Sequence, residues 1–367
     1  MKIVFVLTVH HPNDDRVWYQ QADSLRKAGH DVFVLSATRF IFNLPNVHTF
    51  DCQNLSKKEI IRKHASILNK LRPEVIICDN PVSILAAKDY KKKSTKKSIR
   101  IYYDVTEFYP SKIHLYYNNI LKNMLKYCVL YCISIYVGSL VDGFIFGEYY
   151  KAKRYKQLFF WKKSVNLSYF ASLEYIKTFP INNIQKECSF FYAGYISEDY
   201  GFNNILKVVK RCAEIFPETN FKLNVISKTE CKMQETGCKN LKIDILKFLP
   251  FPEFCASFGK SDIFFDLRKP DIENTHCLPI KLFYYMAAGR PMIYSNLKAI
   301  RREISEIEEF SFLVNPNKTD EIVEKIRLYL QDPILYEQHC KHARILAETK
   351  YNWGKIEKKF IDFIDNE

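Results

Sequence analysis

The sequence predicts two doubly wound α/β domains facing a cleft, and three observations carry that prediction. The chain has 367 residues, which suits two domains of about 150–200 residues better than one. Short apolar runs alternate with stretches of helical spacing in both halves, the pattern of parallel sheets covered on both faces. Hydrophobic residues make up 47% and charged residues 26%, enough apolar material for two cores. Such a composition excludes a disordered, fibrous or small disulfide-stapled chain.

In the first half, residues 2–7 read as a buried strand. Residues 16–28 read as a helix on the spacing of Val17, Gln21, Leu25 and Ala28, stopped by Gly29 in the position where a helix end favours glycine. Strands are expected at 31–35, 75–78 and 99–105, with helices at 57–71 and 82–90. The second half repeats the scheme, with strands at 188–193, 221–226, 263–266 and 291–294 and helices at 202–216, 281–288, 319–331 and 333–349. The polar stretch 166–186 holds no long period and is the expected linker. The first domain is then 1–165 and the second 187–345. In sheets of this kind ligands bind beyond the carboxyl ends of the strands.

Charge separates the halves. The formal net charge is +14, and residues 1–180 carry all of it, with 28 Lys and Arg against 14 Asp and Glu. An anionic partner for the first half follows. The eleven cysteines are scattered and odd in number, which predicts reduced thiols. Cys128 and Cys132 lack a second pair or a His cluster, so no metal site is expected. Residues 1–7 lead straight into a strand and do not read as a signal segment. The longest uncharged stretch, 127–141, is 15 residues, short of the ~20 that a span requires, so a crossing helix is not expected.

Five lysines lie within residues 91–97, and a second basic stretch from Lys151 to Lys163 is interleaved with Tyr155, Phe159, Phe160 and Trp161. Between them lies an apolar, Tyr-rich segment. Lysines attract anionic headgroups and aromatic rings suit the interface, so peripheral attachment to an anionic membrane surface is expected. A solvated lysine loop beside a core helix is the alternative. Nucleic acid is not an expected partner, because no recognition motif accompanies the charge.

Three segments could carry chemistry. The first strand empties into Thr8-Val9-His10-His11-Pro12-Asn13-Asp14-Asp15-Arg16, which sets titratable groups at a sheet's carboxyl edge. A helix cap by Asn13 or Asp14 is the plainer reading. The strand at 99–105 ends in Asp104-Val105-Thr106-Glu107-Phe108-Tyr109-Pro110, where a solvated loop is equally consistent. The segment from Pro279 to Pro291 places Lys281 in the first turn of a helix behind a proline, a recipe for an anion site.

Together these segments resemble the GT-B glycosyltransferases, in particular the retaining family-4 type that builds bacterial surface polysaccharides. His11-Pro12, Asp14 and Arg16, followed by Ala28-Gly29-His30-Asp31-Val32, are similar to that family's opening. The Asp104–Pro110 segment is similar to its "DxHE–YP" stretch, Phe191–Gly201 to the turn opening its second domain, and Lys281–Pro291 to "KLFEYMAAGKP". Tyr351-Asn352-Trp353 resembles the tail crossing back to the first domain, which makes 346–367 a returning segment.

The resemblance implies two Rossmann-like domains and transfer of a sugar from a nucleotide-sugar donor to a lipid-linked or oligosaccharide acceptor. It requires no cofactor beyond the co-substrate, and no metal. Asp14, Arg16, Glu107 and Lys281 are then the expected catalytic groups. Gly194, Arg268, Asn274, His276, Lys281, Tyr284 and Tyr285 would bind the donor, and His10, His11 and Asp104 the acceptor. The expected location is the cytoplasm, at the inner face of the membrane.

The sequence also departs from the family pattern. The family's paired glutamates fall at His276 and Tyr284, its diphosphate-gripping Arg at Tyr200, and its "DxHE" histidine at Thr106. A Tyr hydroxyl can hydrogen-bond a ribose but supplies no carboxylate charge. A catalytically degenerate subunit that supports a partner transferase is therefore the alternative. An epimerase on the same fold needs carboxylates that the sequence does not place.

Overall fold

The computed structural model describes residues 1–8, 10–39, 44–96, 98–107, 109–111, 114–229 and 237–366. The chain divides into two units: residues 1–169 with the chain from Ile356 onward, and Phe170–Lys355.

In the first unit, β1 (Lys2–Leu7), β2 (Asp31–Ala37), β3 (Val47–Phe50), β4 (Val75–Cys78), β5 (Arg100–Val105), β6 (Gly143–Phe146) and β7 (Lys163–Asn166) form one sheet. Its order is β3-β2-β1-β4-β5-β6-β7, and every pairing is parallel. The helices are α1 (Asp23–Lys27, continuing a π-helical turn at Val17–Ala22), α2 (Lys57–Leu71), α3 (Pro81–Lys93), α4 (Ile120–Leu140) and α5 (Tyr149–Leu158). Local chemistry fixes several starts. Ser56 and Glu59 form a reciprocal capping box at α2, and Asn80 caps α3 ahead of Pro81, satisfying N–H groups that a helix start leaves bare. Val4, Val6, Ile76, Ile101 and Phe146 are central to the core.

The second unit carries β8 (Glu187–Ala193), β9 (Asn220–Ser227), β10 (Leu241–Lys247), β11 (Ile263–Asp266), β12 (Met292–Ser295) and β13 (Ser311–Val314), ordered β10-β9-β8-β11-β12-β13 and parallel throughout. Its helices are α6 (Phe202–Ile215), α7 (Phe251–Ser257), α8 (Ile272–Thr275), α9 (Ile280–Ala287), α10 (Lys298–Glu303), α11 (Thr319–Gln331) and α12 (Pro333–Thr349). Helix α13 (Glu357–Asp365) returns to the first unit. There Asp365 meets His30 at 3.0 Å and the Phe363 ring lies 5.0 Å from Tyr102.

Strand order reverses between β1 and β4 in one sheet and between β8 and β11 in the other. Each sheet therefore has a topological switch point, where the carboxyl ends leave a ligand crevice. The two parallel α/β layers agree with the expectation from sequence. Segment 170–186, expected as linker, instead folds onto the second unit. Buried Arg290 donates to the Pro180 carbonyl at 2.7 Å, and Arg344 to that of Ile176 at 3.0 Å. The expectation that no helix could cross a membrane also changes: α4 is 21 residues long and, by length and composition, apolar enough to do so. Lys122 and Lys126 interrupt the uncharged run but do not interrupt the helix.

Candidate functional site

At the switch point of the first unit, His10 ties three strand ends together. Its Nδ1 lies 3.2 Å from Asp14, and its Nε2 lies 2.9 Å from the Thr106 hydroxyl beyond β5. Asp79, following β4, accepts from the backbone N–H of Thr8 at 2.8 Å and of His10 at 3.4 Å, and from Ser83 at 3.1 Å. Burial alone would lower the His10 pKa, but the carboxylate of Asp14 first, then those of Asp79 and Glu107, outweigh it and raise it to about 9. Burial likewise opposes the charge on Asp14, and His10 outweighs it, so the Asp14 carboxyl titrates below its usual range. His10 is thus held as a cation at neutral pH, with one ring N–H directed to Asp14 and the other to Thr106.

This arrangement fixes a pH dependence. The folded value near 9 lies above the ordinary 6.5, so the stabilisation is complete below about pH 6.5 and lost as pH rises through about 9. The wild-type thermal midpoint should fall more steeply than that of His10→Gln from about pH 7 to 9.5. Parallel curves would show that the His10 proton does not stabilise the fold.

Other expected residues are placed differently. Arg16 donates to Asp104 at 2.7 Å, and the Gln21 amide does so at 2.9 Å. Arg16 and Asp104 are each 4% exposed. The structure therefore makes this pair a brace between the β1 loop and β5, buried away from any acceptor. His11 pairs with Asn13 beside the site, and Glu107 is exposed at the end of β5.

The sequence reading missed Asp79 and the buried pair Glu148–Lys151 at the end of β6. Lys151 meets Glu148 at 2.8 Å and also donates to the Thr106 carbonyl. Asp79 lies directly past β4 and Glu148 two residues past β6, and that position was the available signal.

In the second unit, the loop after β8 runs from Gly194 to Gly201. Gly194 donates to the Ile226 carbonyl at 3.0 Å, and the Tyr192 hydroxyl holds the loop through the Tyr195 carbonyl at 2.7 Å. Tyr195 and Tyr200 are exposed, with rings 5.4 Å apart. Arg268, beyond β11, is locked onto Asp266 by two bonds, one of 2.7 Å from Nε, and its guanidinium carbon lies 5.7 Å from the Tyr200 ring. Asn274 spans to the Lys269 carbonyl at 2.9 Å, and His276 Nδ1 lies 2.7 Å from that of Ile272. Lys281 is half-buried in the first turn of α9, behind Pro279.

Three expected donor contacts are corrected. Tyr284 and Tyr285 are each 1% exposed. The Tyr284 ring packs on Phe251 and that of Tyr285 on Phe264, at 5.6 and 4.6 Å, so both belong to the core. Arg268 is buried and its charge is paired with Asp266. Among the described residues, no group of three His, Cys, Asp or Glu could hold a metal ion.

Comparison with known proteins agrees with the fold described above. Residues 207–362 match the family described as glycosyl transferase-like. Over 164 residues the chain is 28% identical to an uncharacterized glycosyltransferase of Haemophilus influenzae, covering 44% of this chain and 45% of that protein. The match therefore spans less than half of that relative. Three solved structures share the fold over nearly the whole chain. Anabaena HepE in complex with UDP-glucose aligns at a TM-score of 0.73 and 12% identity, covering 100% of both chains. Sucrose-phosphate synthase from Thermosynechococcus elongatus aligns at 0.72 and 11%, covering 99% of this chain and 98% of that one. A glycosyltransferase from Rickettsia africae aligns at 0.67 and 13%, covering 100% and 99%. The fold is that of the GT-B glycosyltransferases: two parallel-sheet α/β domains.

Proposed function

We propose that this protein is a glycosyltransferase that moves a sugar from a nucleotide-sugar donor to a saccharide or lipid-linked hydroxyl, as a retaining transferase of surface-polysaccharide synthesis. The observation carrying this reading is the whole-chain likeness to a protein solved with UDP-glucose, in a chain whose second unit keeps Lys281 in the first turn of α9. Bare N–H groups of a helix start and an adjacent lysine favour a diphosphate. In the first unit, the cationic His10, held between Asp14 and Thr106 at the partly open edge of the sheet, favours an electron-rich acceptor oxygen there through its charge rather than through a free N–H. Fixed positive charge near a leaving diphosphate stabilises the charge that develops there.

A second reading has its own support. Arg268 is engaged by Asp266 and Tyr284 is buried, so neither replaces the family's carboxylate and arginine grips. A subunit that binds a nucleotide sugar without turning it over fits these facts.

A thermal-shift panel of UDP, GDP, dTDP, CMP and their common sugars tests the shared premise. One nucleotide diphosphate should stabilise the protein, and Lys281→Ala should weaken that ligand about 10-fold, the loss of one charge-assisted contact. Unchanged affinity in Lys281→Ala removes this lysine from the site, and a panel without any shift removes the donor reading.

A further inference from the structure

We propose that the outward face of α4, with the aromatic pair Phe160–Trp161, is a monotopic docking surface for an anionic bilayer. Helix α4 is the crossover between the adjacent parallel strands β5 and β6. A crossover helix ordinarily buries its apolar stripe against the sheet. Here only Ser134, Val137 and Gly138 are buried, all in the C-terminal third. The apolar stripe turns outward instead. Leu121, Met124, Leu125, Cys128, Val129 and Cys132 recur at spacings of three and four and are all exposed, Leu121 at 70% and Leu125 at 69%.

The C-terminal end of the helix is fastened. Lys162 donates to the carbonyls of Gly138 at 2.9 Å and Ser139 at 2.7 Å. That anchoring brings the neighbouring Phe160 and Trp161, 81% and 63% exposed, to the same end of α4. Amphipathic aromatic rings of this kind sit at the headgroup level of a bilayer.

Charge selects the occupant. From residue 109 to 173 the sequence carries nine Lys and Arg and two acidic residues, Asp142 and Glu148. Asp142 is bridged by Lys91 at 3.0 Å and Glu148 by Lys151 at 2.8 Å, so the surface around α4 is cationic. A second copy meeting it face to face would bring like charges together, whereas anionic headgroups complement it.

Depth follows from length. With the helix held to the fold through Ser134, Val137 and Gly138, residues 120–133 are the continuous stretch left for lipid, about 21 Å of helix against the ~30 Å of a bilayer core. The helix therefore lies in the interface. The lysine run at 91–97 contributes less than the sequence suggests, because Lys91 and Lys93 are engaged by Asp142 and Asp89. This surface does not depend on the transferase reading, and its test needs no activity.

The full chain is sedimented with phosphatidylcholine vesicles with and without phosphatidylglycerol. Binding is expected on the anionic vesicles. Leu121→Glu/Leu125→Glu should reduce it at least ~10-fold, and Lys122→Gln/Lys126→Gln about 10-fold on anionic vesicles only. Trp161 emission, read as the difference from Trp161→Phe, should be quenched by brominated lipid in the otherwise unaltered protein, which keeps the test independent of how the glutamate variant folds. No binding to anionic vesicles, or no Trp161 quenching, overturns the proposal. So does self-association that the glutamates abolish while vesicles go unbound, which would assign the face to a second copy.

Discussion

Replacing Arg16 by Met should destabilise the protein by about 3–5 kcal/mol, read as a lower urea midpoint, because it leaves the buried Asp104 carboxylate without its counter-charge. Arg16 and Asp104 meet at 2.7 Å with almost no exposure, and the Gln21 amide shares that carboxylate oxygen. The double variant Arg16→Met/Asp104→Asn should recover much of the loss, since breaking one side of a buried pair costs more than neutralising both. A loss below ~1 kcal/mol, the range of exposed pairs, without rescue by the double variant would show that this pair does not brace β1 to β5.

Gly201→Ala is the second large effect expected, and its origin is steric. Gly201 has φ +72 at the start of α6, and a Cβ built there would stand 1.8 Å from the Leu267 carbonyl oxygen and 2.8 Å from the Arg268 nitrogen. The left-handed conformation and the backbone clash together should cost about 2–5 kcal/mol. Because both atoms are backbone, the strand-end loops must part to admit the methyl group. The loop 194–201 carries Tyr195 and Tyr200, so nucleotide affinity should fall along with the thermal midpoint. A variant that keeps both would mean that the close approach of these loops does not shape the site.

The legible elements were those with local punctuation. Residues 57–71 carry Ser56 and Glu59 at the start and a regular apolar period, and α2 occupies that range. β6 and β7 are four-residue strands with too few positions to show a period, and β3 is a partly exposed edge strand with little apolar contrast. The outward stripe of α4 reads in sequence like a core helix, since periodicity gives a face but not the direction in which it points.

The site was legible as residue types at strand ends. His10 and Asp14 do come together, four positions apart. Arg16 and Asp104 are separated by 88 positions, and nothing local indicates that they neutralise each other. Tyr284 and Tyr285 follow a recognisable helix pattern, yet every residue from Leu282 to Arg290 is buried. Pattern alone does not separate a core tyrosine from one that meets a ligand.

Turnover of the donor tests the central proposal most directly. The full chain is incubated with the nucleotide sugar that stabilises it, and free nucleoside diphosphate is measured over time with and without vesicles carrying lipid-linked saccharide. A transferase releases many equivalents of diphosphate per protein, faster when acceptor is present, and does so more slowly in Lys281→Ala. Tight donor binding with no release beyond one equivalent, whatever acceptor is added, would contradict transfer by this chain and leave the binding-subunit reading in its place.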